Sequence, residues 1–149
     1  MKKYLLQKEA WRIVVLMLVI LMLTSCVGAG LVIVTQSCGG QLVYGDTVYE
    51  TVPARGYVCS YTFTGTAGDI VSAKLIKRNN SLDPYLMLYD SYGTLVAYND
   101  NISAVNNNSW IQQYQLYASG TYKIVVQGGK NLTSSGPFTL TLTKVPVSP

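Results

Sequence analysis

The chain has 149 residues, about the size of one domain, with only 12% charged side chains, twelve tyrosines and a net charge of +4. It contains no histidine, which excludes Ser-His-Asp and Cys-His catalysis, histidine zinc sites and the usual imidazole acid–base groups. Lys2, Lys3, Lys8 and Arg12 carry the excess charge against Glu9 alone. Further on, Arg55, Lys74, Lys77, Arg78, Lys123, Lys130 and Lys144 are matched by Asp46, Glu50, Asp69, Asp83, Asp90 and Asp100. That balance speaks against nucleic-acid binding, and Lys74, Lys77 and Arg78 read as a solvated strand end.

Ile13 to Leu23 form an unbroken apolar stretch behind the basic leader, the layout of an export signal. Leu23-Thr24-Ser25-Cys26 follows and resembles the lipobox of bacterial lipoproteins, which implies a lipidated Cys26 as the mature N-terminus. A second reading stands beside it: Val27 to Val34 stay apolar, so the run reaches the roughly twenty residues that span a bilayer, and an uncleaved signal anchor is also expected. Both place the C-terminal domain outside the membrane, because the N-terminal positives stay in the cytoplasm. In an oxidising compartment Cys38 and Cys59 are the only cysteines of the exported part and are expected to form a disulfide, stabilising by about 3 kcal/mol in the chain-entropy view. Gly39-Gly40 read as a short flexible lead-in. The expected organisation is residues 1–34 as signal or anchor, 35–44 as linker, 45–144 as the folded domain and 145–149 as tail.

From Gly45 onward, turn signals recur at strand-length intervals: Gly45-Asp46, Pro53 to Gly56, Gly65 to Gly68, Asn79 to Pro84, Asp90 to Gly93, Asn99 to Asn101, Ser119-Gly120 and Gly128 to Gly136. Eight strands fit between them. Tyr57, Cys59, Tyr61 and Phe63 alternate with Val58, Ser60 and Thr62; Tyr122, Ile124 and Val126 share a face, as do Phe138, Leu140 and Leu142. Alternation of this kind with no helical period between strands predicts an all-β fold. The expected architecture is an antiparallel, jelly-roll-like β-sandwich of about eight strands, preceded by an N-terminal hydrophobic helix.

Placed on those strands, four stretches resemble the bacterial pre-peptidase C-terminal domain, a small β-sandwich appended to secreted proteases and other exported proteins. They are Arg55 to Phe63 with the Ala67-Gly68-Asp69 turn, Leu82 to Asp90 with Gly93, Tyr98-Asn99-Asp100-Asn101, and Ser119 to Val126 closed by Gly136 to Leu140. The resemblance covers about Gly45 to Lys144. It implies a non-catalytic accessory module that binds substrate or polymer, aids secretion or stabilises an attached domain, here expected to stand alone behind its tether.

Some members of this fold group bind calcium, and Asp83, Asp90, Asp100 and Asn101 lie in turns where oxygen ligands could gather. Against that, Asp and Asn favour turns through bonds to their own backbone, and the twelve-residue EF-hand pattern is absent from the sequence. No other cofactor is expected. Asp83 with Asp90 or Asp100 would supply a carboxylate pair, but no activated nucleophile accompanies it, so no catalytic residue is assigned. For an exposed glycan-binding strip the tyrosines to inspect are Tyr89, Tyr92, Tyr98, Tyr114 and Tyr117. Trp110 either joins them as a platform or opens a strand and packs inward. Two functions follow: a membrane-tethered binding module of the bacterial cell envelope that takes wall polymer, glycan or an envelope protein, or a structural envelope lipoprotein that stabilises a complex and has no small ligand.

Overall fold

The structure is a computed structural model and describes residues 38–146. Nine strands follow one another: β1 (Gly39–Gln41), β2 (Thr47–Val52), β3 (Val58–Gly65), β4 (Ile70–Lys77), β5 (Pro84–Tyr89), β6 (Leu95–Asn99), β7 (Ser109–Gln115), β8 (Gly120–Gly128) and β9 (Gly136–Lys144). They form a five-stranded sheet in the order β1-β3-β8-β5-β6 and a four-stranded sheet in the order β2-β9-β4-β7. Every pairing is antiparallel except β1 with β3. The all-β sandwich expected from the sequence is therefore the fold, and the expected turns fall between β2 and β9 as read. Cys26 and the apolar N-terminal run lie outside the described residues, as does the end of the tail.

The period-two pattern builds the core. Cys59, Tyr61 and Phe63 of β3, Tyr122, Ile124 and Val126 of β8, and Leu86 and Leu88 of β5 project from one sheet. They meet Val71, Ala73 and Leu75 of β4 and Phe138, Leu140 and Leu142 of β9. Phe63 stacks on Tyr122 with ring centroids 5.5 Å apart, and the Tyr122 hydroxyl leaves the core to donate to the Ala118 carbonyl at 2.8 Å, as a buried phenol requires. Tyr57, expected on the inward face, precedes the first residue of β3 and is exposed.

One difference lies ahead of Gly45. Residues 39–41, read as linker, are paired: Gly39, Gly40 and Gln41 run parallel to Ser60, Tyr61 and Thr62, and Leu42 is buried in the core. The Cys38–Cys59 disulfide holds this short strand against β3. Gly39 has φ +135, and a Cβ there would sit 2.2 Å from the Ser60 carbonyl oxygen. Gly39, which suggested flexibility, instead allows two backbones to approach, while Gly40 has open space beside it.

The edges differ in how they are finished. On β7 the register shifts opposite Val71 to Ala73, Gln113 adopts φ 52, and its N–H, freed from the ladder, donates to Ser72 Oγ at 3.0 Å. Such a bulge discourages pairing with another chain.

Candidate functional site: the outer face of the five-stranded sheet

A sheet with one face in a sandwich core should be wet on the other. β5 and β8 break that rule. Pro84 through Leu88 are buried without interruption, and so are Ile124 through Gly128. The inward residues belong to the core; Tyr85, Met87 and Val125 form a second apolar cluster on the solvent side of the same sheet, with Tyr89 packed against it.

Register fixes the layout. Across the strands Met87 faces Val125 on β8 and Tyr98 on β6, and Val125 faces Ser60 on β3. One pleat away Tyr89 faces Lys123, which faces Thr62; one pleat the other way Tyr85 faces Gln127, which faces Val58. Tyr98 is 62% exposed, yet its ring stacks on Tyr85 at 6.0 Å and 26°. Lys123 Nζ lies 4.7 Å from the centre of the Tyr89 ring, and the Tyr89 hydroxyl donates to Met87 Sδ at 3.5 Å. Gln127 Nε2 donates to the carbonyls of Gly129 at 2.9 Å and Lys130 at 3.1 Å, so its amide is oriented. The result is an apolar floor edged by phenols, an amide, small hydroxyls and one ammonium.

The electrostatics suit recognition. Burial, reinforced by Tyr98, Asp100 and Tyr89, pushes the Tyr85 phenol above its ordinary value, so it keeps its proton and remains a donor at neutral pH. At the rim, Asp100 Oδ1 is buried without a hydrogen-bond partner, while its carbonyl accepts from Ser109 Oγ at 2.8 Å.

Of the side chains singled out as ligand contacts, Tyr89 and Tyr98 stand on this face. Tyr92 lies in the β5–β6 hairpin turn, 84% exposed. Trp110 sits opposite Lys74 on the other sheet. It faces outward, because its neighbours Ser109 and Ile111 take the inward positions of β7. Tyr114 and Tyr117 pack edge to face at 6.2 Å near the end of β7. Tyr85, Met87 and Val125 were not singled out.

The four oxygen-bearing residues considered for calcium do not form one coordination shell. Asp83 and Asp90 flank β5 at opposite ends, about 23 Å apart along an extended chain. Asp90 Oδ1 is engaged by the N–H groups of Tyr92 at 3.0 Å and Thr94 at 2.8 Å, closing the hairpin. Asp100 and Asn101 follow β6 and return to the Asp83 end. Among the described residues no group of three or more acidic, cysteine or histidine side chains gathers to hold a metal ion.

No family model matches the chain. Over 78 residues it is 36% identical to a probable subtilase-type serine protease of Deinococcus radiodurans, a match that takes in 50% of this chain and 10% of that protein. The chain thus spans about a tenth of the length of the curated relative it matches. Superposition on the crystal structure of the pre-peptidase C-terminal domain of a Bacillus anthracis collagenase gives a TM-score of 0.58, with 14% identity over 72% of this chain and 96% of the other. The sandwich has the pre-peptidase C-terminal domain fold. PliG of Aeromonas hydrophila, a periplasmic inhibitor of g-type lysozyme, is similar to this pre-peptidase C-terminal-type sandwich at TM-score 0.54 (14% identity, 72% of this chain and 96% of that one). PliG of Salmonella Typhimurium gives 0.52 at 14% identity, covering 73% of this chain and all of the other.

Proposed function

We propose that the protein is a non-catalytic binding module of the bacterial cell envelope, tethered by its N-terminal segment with the sandwich outward, and that it lays a ligand across the outer face of β1-β3-β8-β5-β6. The observation that carries this reading is the cluster of Tyr85, Met87, Tyr89 and Val125 outside the core. A sheet face facing water has no need of such residues for the fold; Tyr85, Met87 and Val125 are themselves covered, and the open surface is their rim, with Tyr98 62% and Val58 45% exposed, an aromatic surface with polar edges of the kind that forms a binding platform. Its strand-crossing layout suits an extended chain, either a glycan of the wall or a segment of an envelope protein. The Cys38–Cys59 bridge fits an oxidising compartment, and the likeness in fold to periplasmic PliG supports the location.

The test is co-sedimentation of the detergent-solubilised full chain with insoluble cell-wall and polysaccharide preparations. Saturable pelleting is expected. Replacing Tyr98, the exposed ring of the platform, by alanine should weaken it roughly tenfold, the order of one lost stacking contact, with an unchanged melting temperature. Absence of pelleting on every preparation would transfer the reading to a structural lipoprotein with no small ligand.

The tether is tested separately by mass spectrometry of protein extracted from membranes. A mature N-terminus at diacylglyceryl-modified Cys26 supports lipidation. An intact Met1 to Arg12 peptide supports the signal anchor, and a soluble product cleaved elsewhere would contradict both.

A further inference from the structure

The outer face of the four-stranded sheet has a different chemistry. One row across it reads Thr47, Thr141, Lys74, Trp110, and the next reads Tyr49, Thr139, Ile76. Lys74 Nζ lies 5.0 Å from the centre of the Trp110 ring. The Arg78 guanidinium lies 5.6 Å from that of Tyr49. Each cation is therefore rested on an aromatic ring and held at the surface instead of sweeping through solvent. Between the two pairs runs β9, whose outward side chains are the threonines 139, 141 and 143, with Thr141 Oγ1 3.0 Å from Thr47 Oγ1.

All six carboxylates of the described residues lie off this face. Asp46 turns back to accept from the Val43 N–H at 2.9 Å, and Glu50, opposite inward-facing Phe138, alternates to the other side of β2. Asp69 is buried against Lys144, while Asp83, Asp90 and Asp100 flank β5 and β6 of the other sheet. The face is thus positive, rich in hydroxyls, and spans three strand spacings, about 14 Å.

We infer that this face is a second binding surface, distinct from the tyrosine platform, and that its ligand is an acidic polysaccharide. Lys74 and Arg78 match the anionic groups, the threonine lane meets the hydroxyls, and the parts of the Trp110 and Tyr49 ring faces that the cations leave open meet the apolar sides of sugar rings. Two fixed cations are too few for the dense phosphate contacts of nucleic acid.

Affinity electrophoresis of the full chain in neutral detergent tests this, with polygalacturonate, a polyglycerol phosphate or neutral dextran cast into the gel. Retardation is expected in the polygalacturonate gel and not in dextran; retardation by the polyglycerol phosphate alone would overturn the inference in favour of a polyol phosphate chain. The basic leader contributes the same background to every variant. Lys74→Gln with Arg78→Gln should weaken retention about fivefold, the scale of two exposed ion pairs, and Trp110→Ala should weaken it too, whereas Tyr98→Ala on the opposite sheet should not. Both sets of variants are to be compared at equal melting temperature. The inference fails if the polygalacturonate gel does not retard the protein, if the Lys74 and Arg78 variants migrate as the parent does, or if duplex DNA retards it equally. None of these outcomes bears on pelleting through the tyrosine platform.

Discussion

Replacing Asp69 by alanine should lower stability by about 3 kcal/mol and the melting temperature by well over ten degrees. This carboxylate is buried where the turn after β3 meets the ends of β7 and β9. Its Oδ2 accepts from the Tyr44 hydroxyl at 2.8 Å and from the Thr66 N–H at 3.1 Å, and its Oδ1 accepts from Lys144 Nζ at 2.6 Å. Its own carbonyl takes the Leu116 N–H at 2.8 Å, and its N–H donates to the Thr66 carbonyl. One residue thus ties the lead-in after β1, the β3–β4 turn and the last strand. Alanine would leave the half-buried Tyr44 phenol and the Thr66 N–H without their acceptor and would empty the buried site of the carboxylate itself, and unmade bonds out of full reach of water cost more than made ones contribute. Lys144→Met should cost only about 1 kcal/mol, because the ammonium is 37% exposed and its pairing is screened by water, while Asp69 keeps the Tyr44 and Thr66 donors. Thermal unfolding of the two variants in parallel separates the contributions; equal losses would mean that the ion pair, not the buried acceptor, carries the stability.

The same residue sets an acid limit. The bond to Lys144 holds the Asp69 carboxyl below its ordinary value, helped by Thr66 and Tyr44 and opposed by burial. A folded-state pKa below the unfolded one means that the unfolded chain binds the proton more readily. The stabilisation is complete above pH about 4 and disappears as the pH falls through the folded value. Denaturation midpoints measured between pH 6 and 2 should therefore fall less steeply for Asp69→Asn than for the parent. Identical slopes would remove Asp69 from the acid response.

How far these features could be read from the sequence depends on the range of the interaction that fixes them. Phe138, Leu140 and Leu142 alternate with threonines, a local signal, and all three are buried. The cysteine pair was legible because Cys38 and Cys59 are the only cysteines that follow Cys26 in the sequence. Strand β1 was not, since Gly39 reads the same in sequence whether it flexes or allows backbones to touch. The tyrosine platform was hidden for a related reason. Tyr85 to Tyr89 is an apolar run without alternation, and only register shows that Leu86 and Leu88 enter the core while Tyr85 and Met87 build on the far side. The uninterrupted run was itself the available signal, because a strand wet on one face should not have it. Trp110 faces outward through its phase on β7, and the register shift beside it has no mark in composition. Asp69 read as a turn residue because its partners Tyr44 and Lys144 are remote in sequence.

Gly128→Ala should be the most damaging substitution of a single methyl group, costing about 3 kcal/mol, the upper end of what overpacking does. The position is the last of β8, and its φ is not in the left-handed region that would by itself demand glycine. The constraint is space: a Cβ would stand 1.8 Å from the Ser134 carbonyl oxygen and 2.4 Å from its carbon. Backbone cannot yield as a flexible side chain does. Here it is pinned, because the Ser134 N–H donates to the Gly128 carbonyl at 3.0 Å and Ser134 Oγ accepts from the Asp83 N–H at 2.8 Å. Relieving the clash moves the 129–135 loop, and with it the Gly129 and Lys130 carbonyls that orient Gln127. Gln127 faces Tyr85 across the sheet, so stability and binding should fall together. Gly45→Ala gives the contrast. No atom lies within 4 Å of its Cβ, although its φ of +101 strains any side chain. It should lose about 1 kcal/mol through backbone conformation alone and leave polymer pelleting unchanged. If Gly128→Ala melts with the parent and pellets as the parent does, the loop is free to move and Gln127 is not positioned by it.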